Sequence, residues 1–569
     1  MKIIGISHDL YISSAVLIQD GEIIAAAPEE RFTRAKRTRY FPQNAIQFCL
    51  DKADCRIEDI DYFSTSWNPG VYFKSFNPLF SGRRRFKGEY LYAIPDYLLQ
   101  FFKHRHAEYI EQNIQLFNTQ CRIYFIQHHH AHIGNAYFLS PFDNAAILIA
   151  DEQGEFSSVT YASGIDNDIK IFQSQSYPHS LGTFYSGFTD FLGFRPNSDE
   201  WKVMALSAWA DTSDKYYDKV RKMVELLPEG RFELDLSYFN TYDPEQPEPN
   251  MYTEKFIKNF EAPRKRDQPL SEREYKLASA MQQVAEETAF HLLDWLYKKS
   301  KQKNLAVAGG FFMNSVLNGK ILRNTPFEKI FISSCPDDSG SSIGSALYLY
   351  HEILRGKKRR PLTHNFFGPK FSNKEIEKTI KKFQLNHKFV GDIEKYTAQL
   401  LSEDKLVGWF QGRMEFGQRA LGNRSILTTP KKKDMKDKVN RAVKYREAFR
   451  PFAPSILLED TDDYFDIDEG VGAPFMEKVY RIKQSKRNLI PAVVHVDGSG
   501  RLQTVTKDTN PKFHKLLREF KKITGIPVLL NTSFNLSGEP IVCTPKDAIR
   551  TFFSCGLDVL VMGNYVIIK

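Results

Sequence analysis

Paired cysteines and long apolar runs are both missing from this sequence of 569 residues. None of its cysteines forms a C-x-x-C pair; they are scattered at Cys49, Cys55, Cys121, Cys335, Cys543 and Cys555. This spacing argues against a disulfide framework or a zinc finger and favours reduced thiols. No apolar run approaches the roughly 18–20 residues that span a bilayer. The N-terminus reaches His8 and Asp9 before a secretory core could form. We therefore expect a cytoplasmic protein with no membrane partner.

A coherent basic face is also lacking, although the net charge is +9. The basic clusters at 83–85, 357–360 and 431–433 lie far apart and have no interleaved aromatic residues. Solvated surface is the ordinary role of each cluster, and a mild positive field would also favour small anionic substrates such as phosphates. We expect no nucleic-acid partner.

Length and composition predict a globular protein with more than one domain. Single hydrophobic cores stop growing near about 250–300 residues. The hydrophobic share of 42% and the charged share of 26% are those of a folded protein. A basic stretch that ends in proline, Arg355–Pro361, is the candidate linker. Beyond it an α/β pattern restarts, with strands at Leu406–Phe410 and Pro527–Asn531, a helix near Asp434–Val443 and a closing unit at Pro545–Lys569.

Two polar-tipped hairpins are predicted before this linker. Strand-like runs at Ser14–Ile18 and Glu22–Ala27 are joined by Asp20–Gly21, which suits the type I′ turn because that turn needs φ > 0 twice. A second such unit runs through Ala145–Ala150, Ser158–Ser163 and Ile169–Ser174. The repeat is similar to the actin/hexokinase/Hsp70 superfamily, whose duplicated α/β halves each bring a hairpin to a nucleotide cleft.

A histidine-rich stretch predicts a metal site on a helix face. Gln127–His132 reads Q-H-H-H-A-H, and His128 and His132 are four residues apart, so both project from one side of a helix. Histidines of this kind are otherwise core or surface residues. Asp151, at the end of a buried strand, and Asp338, at a strand-to-helix turn, are candidate further ligands. Two imidazoles with carboxylates suit iron, manganese or zinc better than calcium.

Glycines follow strands at two further places in the first part of the chain. In A-G-G-F-F-M-N, Gly309 and Gly310 would let the backbone approach a ligand, and the helix that follows would favour an anion. The run from Asp338 to Gly344 has the same character. The loop Gly193–Met204 adds Lys202, although an ordinary surface loop explains it equally well.

Cations recur at predicted strand ends in the second half. Gly412–Ser425 contains three arginines among three glycines, a composition suited to bidentate recognition of planar oxyanions. Small polar and basic residues follow at other predicted strand ends, where α/β ligand clefts form. They are Lys444, Arg446, Arg450, Arg501, Asn531, Ser533 and Asn535.

At these motifs the chain resembles the NodU/CmcH-type O-carbamoyltransferases over nearly its whole length. The matching stretches include E-E-R-F-T-R-A-K at Glu29–Lys36, H-H-H-A-H, D-x-x-G-E at Asp151, A-G-G-x-x-x-N, F-G-Q-R-A-L-G-N-R-S and N-T-S-F-N. The resemblance implies an N-terminal domain like the tRNA threonylcarbamoyl transferases, with the duplicated actin-like α/β fold, and a C-terminal YrdC-like α/β domain. We expect these at residues 1–355 and 366–569, with a linker at 356–365.

The resemblance also implies a reaction in two halves. The second domain would use ATP and carbamoyl phosphate to form carbamoyl adenylate, and the first would pass the carbamoyl group to a hydroxyl of a small natural-product or sugar acceptor. ATP would bring Mg²⁺, and the first domain would hold one divalent metal, Fe(II) in the first instance, with Mn or Zn as alternatives. The oligomeric state is left open between monomer and homodimer.

Residue roles carried over from the family fall into four sets. The metal ligands would be His128, His132, Asp151 and Asp338. The adenylate in the first domain would contact Lys36, Gly154, Lys202, Gly309, Gly310, Asn314 and Asp338. Carbamoyl phosphate and ATP in the second would contact Arg419, Lys444, Arg446, Arg450, Arg501, Asn531, Ser533 and Asn535, because Lys444–Arg446 and Ser533–Asn535 match the K-x-R and S-x-N motifs of YrdC-like domains. Catalytic roles would fall to His128, Lys36 and His8, and acceptor binding to Asp9.

The first hairpin departs from the family pattern. Family members read H-D-S-S-A where this chain has Tyr11-Ile12-Ser13-Ser14-Ala15, so the histidine expected to activate the acceptor hydroxyl is missing. His8, Asp9 or Tyr11 could replace it. The acceptor pocket is expected partly within residues 68–115, whose aromatics are Tyr72, Phe73, Tyr90, Tyr92, Tyr97, Phe101 and Phe102.

Three alternatives stay open on sequence alone. HypF-type proteins carbamoylate a protein cysteine, but they carry an acylphosphatase domain and C-x-x-C zinc fingers that this sequence does not show. A tRNA-modifying enzyme would need a coherent basic face. A non-catalytic binding module could have kept the cleft and lost turnover, although the retained anion-binding motifs argue against it.

Overall fold

The computed structural model describes residues 1–8, 12–68, 109–116, 119–211, 215–240, 250–444, 447, 449–467 and 472–569. The chain forms two compact units. Unit 1 comprises Met1–Ala25, Cys49–Asn314 and Lys320–Leu362, and unit 2 comprises Ala26–Phe48, Ser315–Gly319 and Thr363–Lys569. The domain boundaries 1–355 and 366–569 stay a prediction. The structure adds that residues 26–48 and 315–319 belong to the same compact unit as the C-terminal part.

Unit 1 contains two mixed sheets. The first has the strand order β3-β2-β1-β4-β6-β5, with β1 Lys2–Ser7, β2 Ser14–Gln19, β3 Glu22–Pro28 (which continues into unit 2), β4 Tyr62–Thr65, β5 Tyr109–Leu116 and β6 Thr119–Ile126. The second has the order β13-β12-β7-β8-β9. Its strands, with the separate hairpin β10-β11, are β7 Asn144–Ala150, β8 Ser157–Ile165, β9 Asp168–Ser176, β10 Val224–Leu227, β11 Arg231–Leu234, β12 Asn304–Ala308 and β13 Lys329–Ile332.

The two sheets repeat one topology. In each, the first strand of the repeat pairs antiparallel with the second and parallel with the fourth, as β1 does with β2 and β4 and β7 does with β8 and β12. A further parallel strand then follows, β6 beside β4 and β13 beside β12. The predicted duplicated α/β core is thereby confirmed. Its first turn is also as expected, because Asp20 and Gly21 have φ of 49° and 79°.

The helices of unit 1 include members that pack against each of the two sheets. The longest, Glu272–Ser300, begins with a capping box in which Ser271 and Glu274 satisfy each other's backbone N–H groups. The others are the end of Gln43–Lys52, His128–Ile133, Leu181–Phe191, Glu200–Leu206, Lys215–Arg221, Glu254–Phe260, Ile321–Asn324 and Ser341–Tyr348. Among the described residues, no helix combines the length and apolar character needed to cross a membrane.

Unit 2 is built on one ten-stranded mixed sheet with the order β14-β23-β22-β15-β16-β21-β17-β20-β19-β18. The strands are β14 Lys388–Phe389, β15 Val407–Phe410, β16 Arg424–Thr428, β17 Ala453–Leu457, β18 Phe465–Asp466, β19 Lys478–Ile482, β20 Ser499–Val505, β21 Val528–Ser533, β22 Val559–Met562 and β23 Tyr565–Ile568. Its helices are Glu30–Thr33, the start of Gln43–Lys52, Ser315–Asn318, Asn373–Lys382, Ile393–Ser402, Met435–Val439, Thr461–Tyr464, Gln484–Arg487, Pro511–Thr524 and Pro545–Phe553. Both units are therefore α/β, as predicted.

The candidate linker packs against unit 1. Arg359 donates to the carbonyls of Tyr137 at 2.6 Å and Phe142 at 2.8 Å, and its guanidinium lies 4.3 Å from the centre of the Tyr137 ring. Leu362 donates its backbone N–H to Leu139. The basic cluster at 357–360 thus includes one arginine that binds backbone oxygens instead of solvent.

Candidate metal centre and anion site

A short helix, His128–Ile133, places two imidazoles side by side. His128 and His132 lie one turn apart with ring centroids separated by 4.5 Å, and both side chains are buried. The helix continues as a wide turn over Gly134–Phe138. The predicted one-sided projection of the i, i+4 pair is what the structure has.

Two carboxylates from distant parts of unit 1 complete this cluster. Asp151 follows β7, and its Oδ2 lies 2.9 Å from His132 Nε2 and 3.4 Å from His128 Nε2. Asp338 begins a turn after β13, and its Oδ1 lies 3.3 Å from His128 Nε2. One ligand atom from each of the four residues lies within 4.8 Å of all the others. We call these four residues the metal cluster.

Two glycines allow the helix of the histidines to approach the helix that follows Asp338. A Cβ on Gly344 would lie 1.8 Å from the carbonyl oxygen of Ala131, and one on Gly134 would lie 2.2 Å from the carbonyl oxygen of Gly344. Any side chain at either position would force the helices apart. The crossing therefore brings His128 and Asp338 within reach of each other.

The charges of the metal cluster fit a cation. Burial lowers the pKa of His128, but the Asp338 and Asp151 carboxylates outweigh it and raise that pKa well above its usual value. The same balance raises the pKa of His132, although the charge of His128 opposes it. The buried carboxylate of Asp151 and the half-buried one of Asp338 thus favour positive charge between them, and two imidazoles with two carboxylates match the donor set of borderline divalent ions.

The predicted glycines of unit 1 surround the Asp151 turn. Gly309 has φ of 99°, and a Cβ there would lie 2.1 Å from the carbonyl oxygen of Ala150. A Cβ on Gly310 would come 3.0 Å from Asp151 Oδ1, and one on Gly154 would come 2.8 Å from a ring carbon of His129. These glycines therefore give close backbone packing beside the metal cluster, and their contact with an adenylate stays a prediction.

Asn314 and Lys202 are held by neighbouring side chains. The Asn314 amide exchanges hydrogen bonds with Gln282 at 2.9 and 3.2 Å, and Gln282 also donates to Glu286 at 2.8 Å. Lys202 stands on the helix Glu200–Leu206 and not in the loop predicted for Gly193–Met204, and its Nζ lies 3.1 Å from Asp199 at the start of that helix. If adenylate contacts Asn314 or Lys202 as predicted, it must share that side chain with Gln282 or Asp199, respectively, or displace that partner.

His8 lies directly after a strand that contacts the Asp338 turn. Ser7 Oγ donates to the Asp338 carbonyl at 3.3 Å, and Ser14 Oγ donates to the Ser339 carbonyl at 2.9 Å. The base of the first hairpin is thus fixed to the turn that carries a metal-cluster residue. Asp9, Tyr11, Arg446 and the aromatic residues predicted for the acceptor pocket lie outside the described residues.

A buried lysine forms the centre of a second candidate site, in unit 2. Lys444 Nζ donates to the Ser533 carbonyl at 2.6 Å, the Asn535 carbonyl at 3.0 Å and Asn535 Oδ1 at 2.8 Å. Ser533 ends β21, so three of the predicted residues meet at a strand end. We call Lys444, Ser533 and Asn535 the lysine cradle.

Arginines and a buried amide provide further polar groups in unit 2. Burial and the charge of Arg419 lower the pKa of the Arg501 guanidinium well below its usual value, although Glu477 opposes this effect. Arg501 also donates to the Met476 carbonyl at 2.7 Å. Asn531 donates to Gln503 at 2.9 Å, and its buried Oδ1 accepts no hydrogen bond within the described part of the chain. Two neighbouring guanidiniums are suited to an anion.

Two family models match the chain. Residues 2–347 match the carbamoyltransferase N-terminus, and residues 398–569 match the carbamoyltransferase C-terminus. This chain belongs to the carbamoyltransferase family.

Curated relatives agree with this assignment. An uncharacterized protein of Synechocystis, sll1178, is 37% identical, with 100% of this chain and 96% of the relative covered. Nodulation protein NolNO of Sinorhizobium fredii is 34% identical over 99% of this chain and 79% of its own length. The 3′-hydroxymethylcephem-O-carbamoyltransferase of Amycolatopsis lactamdurans is 26% identical over 79% of this chain and 81% of its own length.

In this carbamoyltransferase, two of the three arginines in Gly412–Ser425 bind backbone carbonyls. The buried Arg424 donates to the carbonyls of Asn423 and Pro369, each at 3.1 Å, and stacks 3.7 Å from the Phe410 ring centre. Arg413 donates to the Gly368 carbonyl at 3.2 Å. Buried guanidiniums are expected to have hydrogen-bond acceptors, and here backbone oxygens supply them. Anion recognition by the three arginines stays a prediction.

Lys36 belongs to unit 2 of the carbamoyltransferase, not to unit 1, in which its role was predicted. Its segment is fixed there by Arg34, which donates to the carbonyls of Pro540 and Ile541, each at 2.7 Å. Arg450 lies within electrostatic range of Lys36 and donates to Glu447 at 2.9 Å. Sequence reasoning also missed Glu155, a buried carboxylate that contacts the backbone of His128. Its place in D-x-x-G-E was the available signal.

Proposed function

We propose that this protein is an ATP-dependent O-carbamoyltransferase whose units perform different half-reactions. Unit 2 would form carbamoyl adenylate from carbamoyl phosphate, ATP and water, with release of phosphate and pyrophosphate. Unit 1 would then deliver the carbamoyl group to a hydroxyl of a small molecule, with release of AMP. The observation that carries this proposal is the four-residue metal cluster, combined with membership of the family.

The lysine cradle supports the first half-reaction. Lys444 is buried among oxygen acceptors and so keeps its ammonium group at a fixed position. A fixed cation stabilises the negative charge that develops as phosphate leaves, since it needs no reorganisation during the reaction. Arg419 and Arg501 would neutralise the remaining phosphate oxygens, and ATP would bring Mg²⁺.

The metal cluster supports the second half-reaction. His128, His132, Asp151 and Asp338 would hold one divalent ion, with iron, manganese and zinc all compatible with the donor set. When bound, such an ion supplies Lewis-acid polarisation of a nearby oxygen. His8 would take the proton of the acceptor hydroxyl, because the strand before it is hydrogen-bonded to the Asp338 turn.

The acceptor class is inferred from the curated relatives. One of them is named for carbamoylation of a 3′-hydroxymethylcephem, which is a small alcohol. We infer a small-molecule alcohol for this chain as well. The carbamoyl carbon is a poor electrophile because its nitrogen donates electrons, and activation as an adenylate provides a better leaving group.

The test is to incubate the purified protein with ATP and carbamoyl phosphate and to measure pyrophosphate. Pyrophosphate release that requires carbamoyl phosphate supports the adenylate step. Pyrophosphate release at the same rate without carbamoyl phosphate contradicts it. Labelled carbamoyl phosphate is then supplied with a hydroxymethylcephem and with sugar alcohols. Label on an alcohol supports the assignment, whereas label on protein only would favour a protein acceptor.

A further inference from the structure

A single buried carboxylate, Glu155, joins the segments that surround His128. Glu155 is 4% exposed and lies four residues after Asp151, just before β8. Both of its carboxylate oxygens accept the backbone N–H of His128, each at 3.0 Å. One of them also accepts the backbone N–H of Asn68 at 2.7 Å.

The segment Ser66–Asn68, which Glu155 holds, also contacts the His128 ring. The Ser66 carbonyl lies 3.2 Å from His128 Nδ1, and the Trp67 ring lies 5.6 Å from the imidazole, centroid to centroid. An Nδ1–H that donates to a carbonyl leaves the Nε2 lone pair for a metal. Ser66 and Trp67 thus fix the tautomer and the ring face of His128, while Glu155 fixes its backbone.

We propose that Glu155 is a positioning residue of the metal centre. It holds the backbone of His128, and through Asn68 it holds the carbonyl that selects the His128 tautomer. Asp151, which lies four residues before Glu155, is itself a member of the metal cluster. The Glu155 carboxylate therefore connects the segment of Asp151 to the backbone of His128. This inference rests on the proposed metal centre and adds a residue outside the four donors.

Glutamine is the most informative substitution because it keeps the size and shape of the Glu155 side chain but leaves it with only one oxygen that can accept a backbone N–H. In Glu155→Gln, one carboxylate oxygen becomes an amide NH₂, which must face a backbone N–H donor. Partners in the second coordination shell typically contribute 10–100-fold to metal affinity. We expect the affinity of Glu155→Gln for Mn²⁺ and Zn²⁺ to fall by at least about tenfold.

Glu274→Gln is the matched control. Glu274 is also a buried carboxylate, 3% exposed, and accepts the backbone N–H of Ser271 at 2.8 Å at the start of another unit 1 helix. Both variants should lower the unfolding temperature of the metal-free protein, measured in EDTA, to a similar degree. Only Glu155→Gln should lower metal affinity, and Glu155→Asp, which keeps the charge, should fall between wild type and Gln.

The experiment is a calorimetric titration of each full-length protein with Mn²⁺ and, separately, Zn²⁺. Equal metal affinities of wild type and Glu155→Gln would overturn the inference and leave the proposed function intact. The same holds if Glu274→Gln loses as much metal affinity as Glu155→Gln. If wild type binds neither ion, the proposed metal centre and this inference are both wrong. Should Glu155→Gln not fold, the same comparison between wild type and Glu155→Asp decides the matter, with unchanged affinity overturning the inference.

Discussion

The metal cluster of unit 1 and the lysine cradle of unit 2 gather opposite charges. In unit 1, the buried Asp151 and the half-buried Asp338 face two imidazoles, so their negative charge favours a cation. In unit 2, Lys444 is buried, and Arg501 lies near Arg419, so positive charge accumulates where an anion would bind. Burying charge is costly unless a partner neutralises it. Each site therefore indicates the sign of its ligand.

The two sites also differ in how the charges are held. The metal cluster uses side-chain donors that converge from three segments of the chain, namely the helix of both histidines and the turns that carry Asp151 and Asp338. The lysine cradle uses backbone carbonyls of Ser533 and Asn535 to fix one cation. Substitutions in the metal cluster should therefore remove a donor to the ion, whereas substitutions in the lysine cradle should remove stabilisation of the negative charge on the leaving phosphate. The following experiments test that division, in order of expected effect.

Replacing His132 by alanine should have the largest effect. It removes a buried donor that lies 2.9 Å from Asp151, so the bound ion should be lost. Lewis-acid polarisation is worth several kcal/mol, and carbamoyl transfer should fall by about a thousandfold or more. Pyrophosphate release should continue. Elemental analysis and the two half-reaction assays measure these outcomes.

His130→Phe is the control for this change. His130 is buried, its ring stacks 5.2 Å from that of Tyr348, and burial lowers its pKa to about 4. Phenylalanine keeps the stacking, so metal content should match wild type. Metal retained by His132→Ala, or lost equally from both variants, would contradict the metal cluster.

Lys444→Ala should give the next largest effect, on the other half-reaction. A fixed charge of this kind is worth roughly 10²–10³ in rate, so pyrophosphate release should fall by that factor while metal content is unchanged. Lys438→Ala is the control, since Lys438 donates to the Asp404 carbonyl at 2.9 Å and lies outside the cradle. Wild-type release in Lys444→Ala would show that the cradle is only structural.

Gly344→Ala tests the packing that brings the metal cluster together. Its Cβ would lie 1.8 Å from the Ala131 carbonyl oxygen, and overpacking of this kind costs about 1–3 kcal/mol. The free energy of unfolding should fall by that amount, and metal affinity should weaken with it. A Cβ on Gly391 meets no atom within 4 Å, so Gly391→Ala should be neutral in denaturant titrations. A Gly344→Ala protein with unchanged stability would refute the close crossing.

The smallest expected effect belongs to His8→Ala. A positioned general base contributes about 10²–10⁴-fold, but other groups can accept the proton, so we expect carbamoyl transfer to slow by at least about tenfold. Pyrophosphate release should not change. A transfer rate equal to wild type would mean that the acceptor hydroxyl loses its proton to another group.

Local patterns in the sequence predicted the features that depend on neighbouring residues. The His128–His132 spacing predicts a shared helix face, and Asp20–Gly21 predicts a turn with two positive φ angles, because both depend on backbone geometry within a few residues. Asp338 is a candidate ligand from its place at a strand-to-helix turn, and the family resemblance implies the same role. Its distance from His128 is set by a crossing of two helices, and no short pattern contains that information.

Partner choice among buried polar groups could not be predicted in the same way. Arg413 and Arg424 stand in a stretch that looks suited to an anion, yet both bind carbonyls that the fold brings near. Lys36 follows the first hairpin in sequence, yet its segment packs with strands and loops from the other end of the chain. Glu155 received no role because its partners are backbone N–H groups, which are the same for every residue type.

The position of Asp338 in the chain has a consequence for synthesis. Translation proceeds at about 5–20 residues per second, so Asp338 leaves the ribosome roughly 10–40 seconds after Asp151. During that interval the nascent chain carries both histidines and one carboxylate but lacks the fourth donor. The glycine crossing cannot form either, because Gly344 is made later still. We therefore expect the ion to bind only after most of the chain has been synthesised. A ribosome-stalled fragment that ends before residue 338 should contain no bound metal.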